Sequence, residues 1–248
     1  MNINLEARPE RGWLRALTPQ TRLGAALAIS AALAFTHGWP ALAAGLLGAG
    51  LLAAMSGLGC RAVGFRLLPV NGFMLMLILV LPWSTPGAPL WAVGPLTYTH
   101  EGLMTALRIT LRANAIVLTL TALLGAMPLT QLGAAMRGLG APQRFTSLFL
   151  LSIRYLSVLY HEFERLRLAQ RARAFRPSAN RHTLHVMAQL TGLLIVRAMD
   201  RADRVLAAMR CRGFTGTFPS APHRPMRMPD FAFTTGAVLF AAGMLWPI

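Results

Sequence analysis

Two stretches of this chain carry matching side chains in the same order, and both end in arginine. Residues 164–175 read E-R-L-R-L-A-Q-R-A-R-A-F and residues 203–214 read D-R-V-L-A-A-M-R-C-R-G-F. A shift of 39 positions lays Glu164 on Asp203, Arg165 on Arg204, Ala169 on Ala208, Arg171 on Arg210, Arg173 on Arg212 and Phe175 on Phe214. The chemistry open to such an ending is multidentate hydrogen bonding, because a guanidinium is a permanently charged planar fork of donors that suits carboxylates and carbonyls. Each copy closes with two arginines two residues apart, an alanine or glycine, a phenylalanine and then breakers: Pro177 after the first, Gly216 and Pro219 after the second. That is how a helix stops. Arginine in a last turn also sits well against the negative end of the helix dipole, which accounts for basic ends but not for two ends that match at so many positions. The repeat marks Arg171, Ala172, Arg173, Ala174 and Phe175, and again Arg210, Cys211, Arg212, Gly213 and Phe214, as one device made twice.

Other chemistry is scarce. All twenty-four basic residues are arginine, so the lysine that a P-loop needs to reach the β- and γ-phosphates is missing and any ATP hydrolysis belongs to a partner. Cys60 and Cys211 have no second cysteine nearby to make a metal pair or a redox motif, and read as small packing residues. His182 and His185 have a spacing that could hold a metal on a helix, but no third ligand is evident, and a role in the first helical turn is the simpler reading. His100 reads as a surface histidine. The expectation is no catalytic residue, no metal site and no cofactor.

The elements that must position the two endings lie in a very apolar chain. Hydrophobic residues make up 55% of its 248 positions and its mean hydropathy is +0.51, too high for a soluble domain of this size. Sixteen of the arginines and only four acids, Glu162, Glu164, Asp200 and Asp203, fall between Met127 and Met228, so this block is expected to face the cytoplasm by the positive-inside rule.

Taken in order, residues 23–36 form a first span after a basic N-terminal stretch. A cleaved secretory signal would look similar, but later hydrophobic segments and charges favour an uncleaved span with its N-terminus inside. The second span runs from about Trp39 to Leu58, with Ala41, Ala44, Gly45 and Gly48 forming a small-residue face for close helix packing. Arg61 and Arg66 mark the return to the cytoplasm, and the third span runs from Leu67 to Trp83. An outer loop rich in proline and glycine follows, with Trp83, Trp91 and Tyr98 at the interface. In the fourth span, Gly102 to Met127, Arg108 and Arg112 share a face. At ~1.5 Å per residue Arg112 would lie ~15 Å below the outer end, facing another helix or a subunit unless the segment is tilted or partly interfacial; Arg108 could snorkel outward.

A short helix, Leu129 to Leu139, then precedes two long segments, 143–175 and 182–213, each ~50 Å if helical. Phe145, Leu148, Phe149, Ser152, Leu156, Leu159, Phe163 and Leu166 recur at three and four in the first; Leu184, Met187, Leu190, Leu194, Met199 and Val205 do so in the second. A proline-rich linker leads to a last span, Phe231 to Trp246. The fold class is thus an all-α integral membrane protein: about five transmembrane helices plus a cytoplasmic block of one short and two long helices. It divides into a four-span part, 1–127, the block 128–228 and a C-terminal span, 229–248.

These features resemble the transmembrane T component of energy-coupling-factor transporters, the CbiQ-type subunit of cobalt and nickel uptake systems. The likeness covers nearly the whole chain and is most specific in the two endings. The family signature is an Ala-Arg-Gly-like triplet at the end of each of two long cytoplasmic helices, and Ala208-Met209-Arg210-Cys211-Arg212-Gly213-Phe214 is similar to the CbiQ form. The resemblance places the functional arginines at Arg212 and Arg173. Arg154-Tyr155 followed by Glu162 also looks like the family. One copy departs from it: Ala174 stands where the family usually has glycine, at a cost of ~1 kcal/mol if the position needs a left-handed backbone.

The resemblance implies a non-catalytic coupling subunit of the bacterial inner membrane. Its partners would be two ATP-binding subunits of the CbiO kind, each taking one arginine ending in a groove, a substrate-binding membrane subunit of the CbiM kind, and a small accessory membrane subunit as a further candidate. Metal capture is left to the partner. Two other readings start from the residues alone. A membrane enzyme acting on lipid would want clustered acids or a nucleophile with its base. A nucleic-acid binder would want a spread basic surface with aromatic platforms, and here the arginines recur at helix ends within apolar faces.

Overall fold

A computed structural model describes residues 17–36, 38–57, 59–85, 89–93, 96–125, 127–215 and 228–245. Eight helices appear among them: α1 (Pro19–Phe35), α2 (Trp39–Met55), α3 (Cys60–Ser84), α4 (His100–Leu124), α5 (Leu129–Gly138), α6 (Gln143–Ala172), α7 (Arg181–Cys211) and α8 (Met228–Leu245). The protein is an all-α membrane protein with one small addition. Strands β1 (Pro89–Val93) and β2 (Leu96–Thr99) pair antiparallel, with an irregularity between Pro89 and Trp91. The outer loop expected from its prolines and glycines therefore contains a hairpin: the β-prone runs around Trp91 and Tyr98 supply strands that composition alone conceals. The described residues fall into two compact units, one holding α1 to α5 with α8, the other α6 and α7. The division at residue 140 leaves the short helix α5 with the first unit, packed on α1.

In the first unit α4 packs against α1, α2 and α3, and α1 packs against α5 and α8. The buried core, including Ala25, Ala26, Ile29, Leu33, Ala49, Ala115, Leu123, Ala237 and Met244, is rich in alanine. Small side chains let helix backbones approach where lipid supplies no hydrophobic drive to associate. Gly45 shows how near: a Cβ there would sit 2.5 Å from Leu33 Cδ2 and 2.7 Å from Met244 Cε. The buried face of α2 is Ala41, Leu42, Gly45, Ala49 and Ala53. Ala44, expected on that face, is exposed, since one residue before Gly45 rotates it by about 100° about the axis.

Residues 61–84 and 100–124 are long and apolar enough to cross a membrane, and α2 is a shorter apolar helix. Arg61 and Arg66 lie within the first turns of α3 rather than before it. Arg66 has a specific task there: its Nη2 donates to the carbonyl of Gly125, just past the end of α4, at 3.0 Å. Where α3 ends and α4 begins, Thr99 Oγ1 donates to the carbonyls of Pro82 and Thr85 at 3.0 and 2.9 Å, and the Trp83 and Tyr98 rings meet edge to face.

In the second unit α6 and α7 touch, with Leu166, Val186 and Leu190 buried. An ion pair joins them: Arg197 Nη1 contacts Glu162 Oε1, while Glu162 Oε2 lies 3.8 Å from Arg165. Much of the apolar periodicity read from the two segments stays uncovered by the chain itself. Phe145, Leu148 and Leu156 of α6 are exposed, as are Leu184, Ile195 and Met199 of α7.

Candidate functional site

The two repeated endings close with the same pair of backbone hydrogen bonds. At the end of α6, Ala174 N–H donates to the Arg171 carbonyl at 3.0 Å and Phe175 N–H to the Gln170 carbonyl at 3.1 Å; at the end of α7, Gly213 N–H donates to Arg210 at 3.0 Å and Phe214 N–H to Met209 at 3.1 Å. This pair of bonds, 5→2 and 6→1, is the Schellman motif, which requires a left-handed residue just past the C-cap. Ala174 has φ 59° and Gly213 φ 77°, and Ala174 is the one non-glycine with positive φ among the described residues. Ala174, which stands where the second copy has Gly213, thus occupies a left-handed position, at a cost of ~1 kcal/mol for a residue with a Cβ.

Closing the ending through the backbone has a consequence for the arginines. The carbonyls of residues 169–171, and those of Met209 and Arg210, already receive amide donors, so the guanidiniums are not needed to satisfy them. Arg171, Arg173, Arg210 and Arg212 are all exposed, and among the described residues none makes a side-chain hydrogen bond or ion pair. The preceding residues differ: Arg165 pairs with Glu162, and Arg167 with Glu164. Each ending therefore presents two unpaired planar donors on a turn closed through its own amides, an arrangement suited to an outside acceptor. Phe175 packs its ring edge on His182, 6.1 Å between centroids, which gives that histidine a contact the sequence did not suggest. His182 and His185 are both exposed, and His185 meets Gln189. Cys211, expected to be a packing residue, is exposed, because its position between Arg210 and Arg212 on the final turn has no neighbouring element to bury it.

The family model described as "Cobalt transport protein", CbiQ, matches residues 10–224. The chain belongs to the CbiQ family. A CbiQ cobalt transport protein from Rhodobacter capsulatus is 28% identical over 184 residues, covering 71% of this chain and 75% of that protein. An energy-coupling factor transporter transmembrane protein, EcfT, from Leuconostoc gelidum subsp. gasicomitatum is 23% identical over 227 residues, covering 87% and 85%. CbiQ is a family of transporter components and not of enzymes, and the span its model matches includes both endings.

In this CbiQ-family chain Arg112 does face another helix, but its partner is a helix end and not a side chain at mid-depth. Its Nη2 donates to the carbonyl of Thr36, the C-cap of α1, at 2.6 Å. A cation at a helix C-terminus is favoured by the dipole and by the orphan carbonyls there. Rise per residue located the Cα of Arg112, whereas its long side chain decides where the charge sits. Arg108, one turn earlier, lies over the Trp39 ring at 5.1 Å, a cation–π contact at the start of α2. Sequence reasoning missed Asp230. It is fully buried and its Oδ1 accepts from the Thr18 amide at 2.7 Å and from Thr21 Oγ1 at 3.2 Å, capping α1 from α8. An acid at the start of an apolar span, beside the proline of M-P-D, was the available signal.

Proposed function

We propose that this chain is the transmembrane coupling subunit of an energy-coupling-factor ABC importer for cobalt or nickel ions in the bacterial inner membrane. Two ATP-binding subunits of the CbiO kind each receive one arginine ending, at Arg171–Phe175 and at Arg210–Phe214, and α6 and α7 carry their movement to a substrate-binding membrane subunit of the CbiM kind. A small accessory membrane subunit is a further candidate partner. The chain supplies no ATPase chemistry of its own; its part is mechanical. The region 128–228 faces the cytoplasm, and the remaining apolar helices make about five spans.

The observation that carries this reading is the pair of matching Schellman endings with exposed, unpaired guanidiniums. Two equal endings suit two equal partners, and the CbiQ and EcfT relatives support the transporter context. The acids that a lipid-modifying enzyme would need in a cluster are engaged elsewhere: Glu162 with Arg197 and Arg165, Glu164 with Arg167, and Asp230 with Thr18 and Thr21.

The test is copurification of Arg173→Ala, Arg212→Ala and the double variant with the ATP-binding pair. Removing one partner of a charge-assisted contact at a desolvated joint costs about 2–5 kcal/mol, so each single change should visibly weaken assembly and the double change should approach complete loss. Arg212→Ala is expected to be the more damaging, since its ending carries glycine at the left-handed position. Parent-like assembly and uptake in all three variants would reduce the endings to helix caps.

A further inference from the structure

Arg108 and Arg112 converge on the turn between α1 and α2. Arg112 Nη2 donates to the Thr36 carbonyl at 2.6 Å, and the Arg108 guanidinium stands 5.1 Å over the Trp39 ring, on the other side of the same turn. On α4 the two lie one turn apart, where like charges oppose each other. Between residues 23 and 127 the sequence holds a single acid, Glu101, and among the described residues no carboxylate pairs with either arginine. Both side chains are half-buried, and their Nε atoms are sealed from solvent without a hydrogen-bond partner. The Nη atoms of Arg108 and Nη1 of Arg112 make no hydrogen bond among the described residues either, yet they are not sealed. Two guanidiniums are thus held by their stems with terminal donors open.

The surroundings select an amphiphile over a free ion. The turn reaches the surface at Trp39 and Pro40. It joins two apolar helices through backbone that hydrocarbon cannot pair, which sets it at the level of lipid headgroups. Tryptophan and arginine are side chains suited to that level. Exposed apolar groups flank the charges, Phe35 at 66% just before the turn and Leu107 at 37% beside Arg108. A phosphodiester offers its oxygens to open N–H forks in the geometry a guanidinium favours, while its acyl chains cover Phe35 and Leu107. A zwitterionic headgroup would bring a second cation next to two arginines. We propose that Arg108, Arg112 and Trp39 form a binding site for the phosphate of an anionic phospholipid at the α1–α2 turn. The site uses no residue of the arginine endings and stands independently of the coupling-subunit reading.

The experiment titrates the full chain, purified in detergent, with phosphatidylglycerol and with phosphatidylcholine of the same acyl chains, and reads bound lipid by native mass spectrometry. One arginine near an anionic headgroup contributes about a fivefold factor, so the pair should give phosphatidylglycerol a preference of roughly twenty-five-fold. Arg108→Gln combined with Arg112→Gln should abolish that preference, whereas Arg61→Gln, in the first turn of α3, should leave it intact. Equal affinity for the two lipids in the unmutated chain, or the same loss from Arg61→Gln, overturns the proposal. So does displacement of phosphatidylglycerol by millimolar inorganic phosphate, which would make the site one for a free anion. The double variant also loses the contact to Thr36, so a second measurement keeps both arginines and places a photo-crosslinking residue at Phe35 in bacterial membranes. Capture of phosphatidylglycerol is expected there. Capture of a protein, of zwitterionic lipid alone or of nothing overturns the site.

Discussion

The two endings differ at one position in a way that can be exchanged. Ala174 and Gly213 occupy the same left-handed site of the same motif, at φ 59° and 77°. A left-handed conformation costs an L-residue roughly 1–2 kcal/mol, and glycine's greater freedom in the frayed chain returns part of that difference, which leaves about 1 kcal/mol. That is roughly a fivefold factor in the equilibrium between the closed ending and its frayed form. The site at Gly213 isolates this backbone effect, because a Cβ added there meets nothing within 4 Å, so Gly213→Ala introduces strain without a clash. The bonds that report it are the Phe175 and Phe214 amides, which donate across the motif at 3.1 Å in both copies. In hydrogen exchange, Ala174→Gly should slow the Phe175 amide about fivefold and Gly213→Ala should speed the Phe214 amide by a similar factor. The double exchange should reverse the ranking of the two ends, both in protection and in retention of the ATP-binding partners. If Gly213→Ala leaves Phe214 exchange unchanged, or Ala174→Gly accelerates exchange at Phe175, the φ-based argument fails and the repeat owes its uneven residue to something else.

Other outcomes can be checked alongside. Reporter fusions at Arg181 and after residue 248 should report opposite sides of the membrane, cytoplasmic for the first; a cytoplasmic signal at both would remove the final span. Asp230→Ala strips the buried acceptor from the Thr18 amide and Thr21 hydroxyl, and should cost about 3 kcal/mol by the scale for hydrogen bonds to charged groups, read as a lower unfolding midpoint in detergent; a midpoint equal to the parent's would show that the cap is dispensable. Gly45→Val should disturb the meeting of α1, α2 and α8, since even a Cβ at that site falls 2.5 Å from Leu33, and size-exclusion profiles of the purified variant would show it as loss of the monodisperse species.

Local features of this chain were legible and distant ones were not. The ends of the helices followed from breakers and apolar runs: 143–175 was expected and Gln143–Ala172 is observed, 182–213 was expected and Arg181–Cys211 is observed. The two helix endings were legible because breakers and the repeat mark them within a few consecutive residues, while the left-handed backbone at Ala174 entered the sequence reading only as a condition. Asp230 was not, because its partners Thr18 and Thr21 lie 212 and 209 residues away, and its place at the start of an apolar span marks it as unusual without naming what it caps. The hairpin at Pro89–Thr99 was hidden by the same prolines and glycines that bound its strands. Arg112 was placed correctly on its helix, but the direction of a side chain with four flexible torsions is decided by the acceptor it finds, here the end of α1.

Periodicity also separates two questions that are easily merged, which residues favour burial and what buries them. On α2 the buried positions are Ala41, Leu42, Gly45, Ala49 and Ala53, mostly small residues, while Leu47, Leu51 and Met55 are left exposed. On α6 and α7 the period is regular, yet Leu148, Leu156, Leu184 and Met199 remain exposed while Arg197 and Glu162 join the two helices. A half-exposed ion pair contributes about 0–1 kcal/mol, too little to hold two helices of 30 and 31 residues in one arrangement by itself. The apolar stripes would add far more once covered, at ~25 cal/mol per Å². On the coupling-subunit reading, then, these long helices are designed to be completed by other surfaces, and the weak joint between them is what allows a pull at either arginine ending to change how they sit.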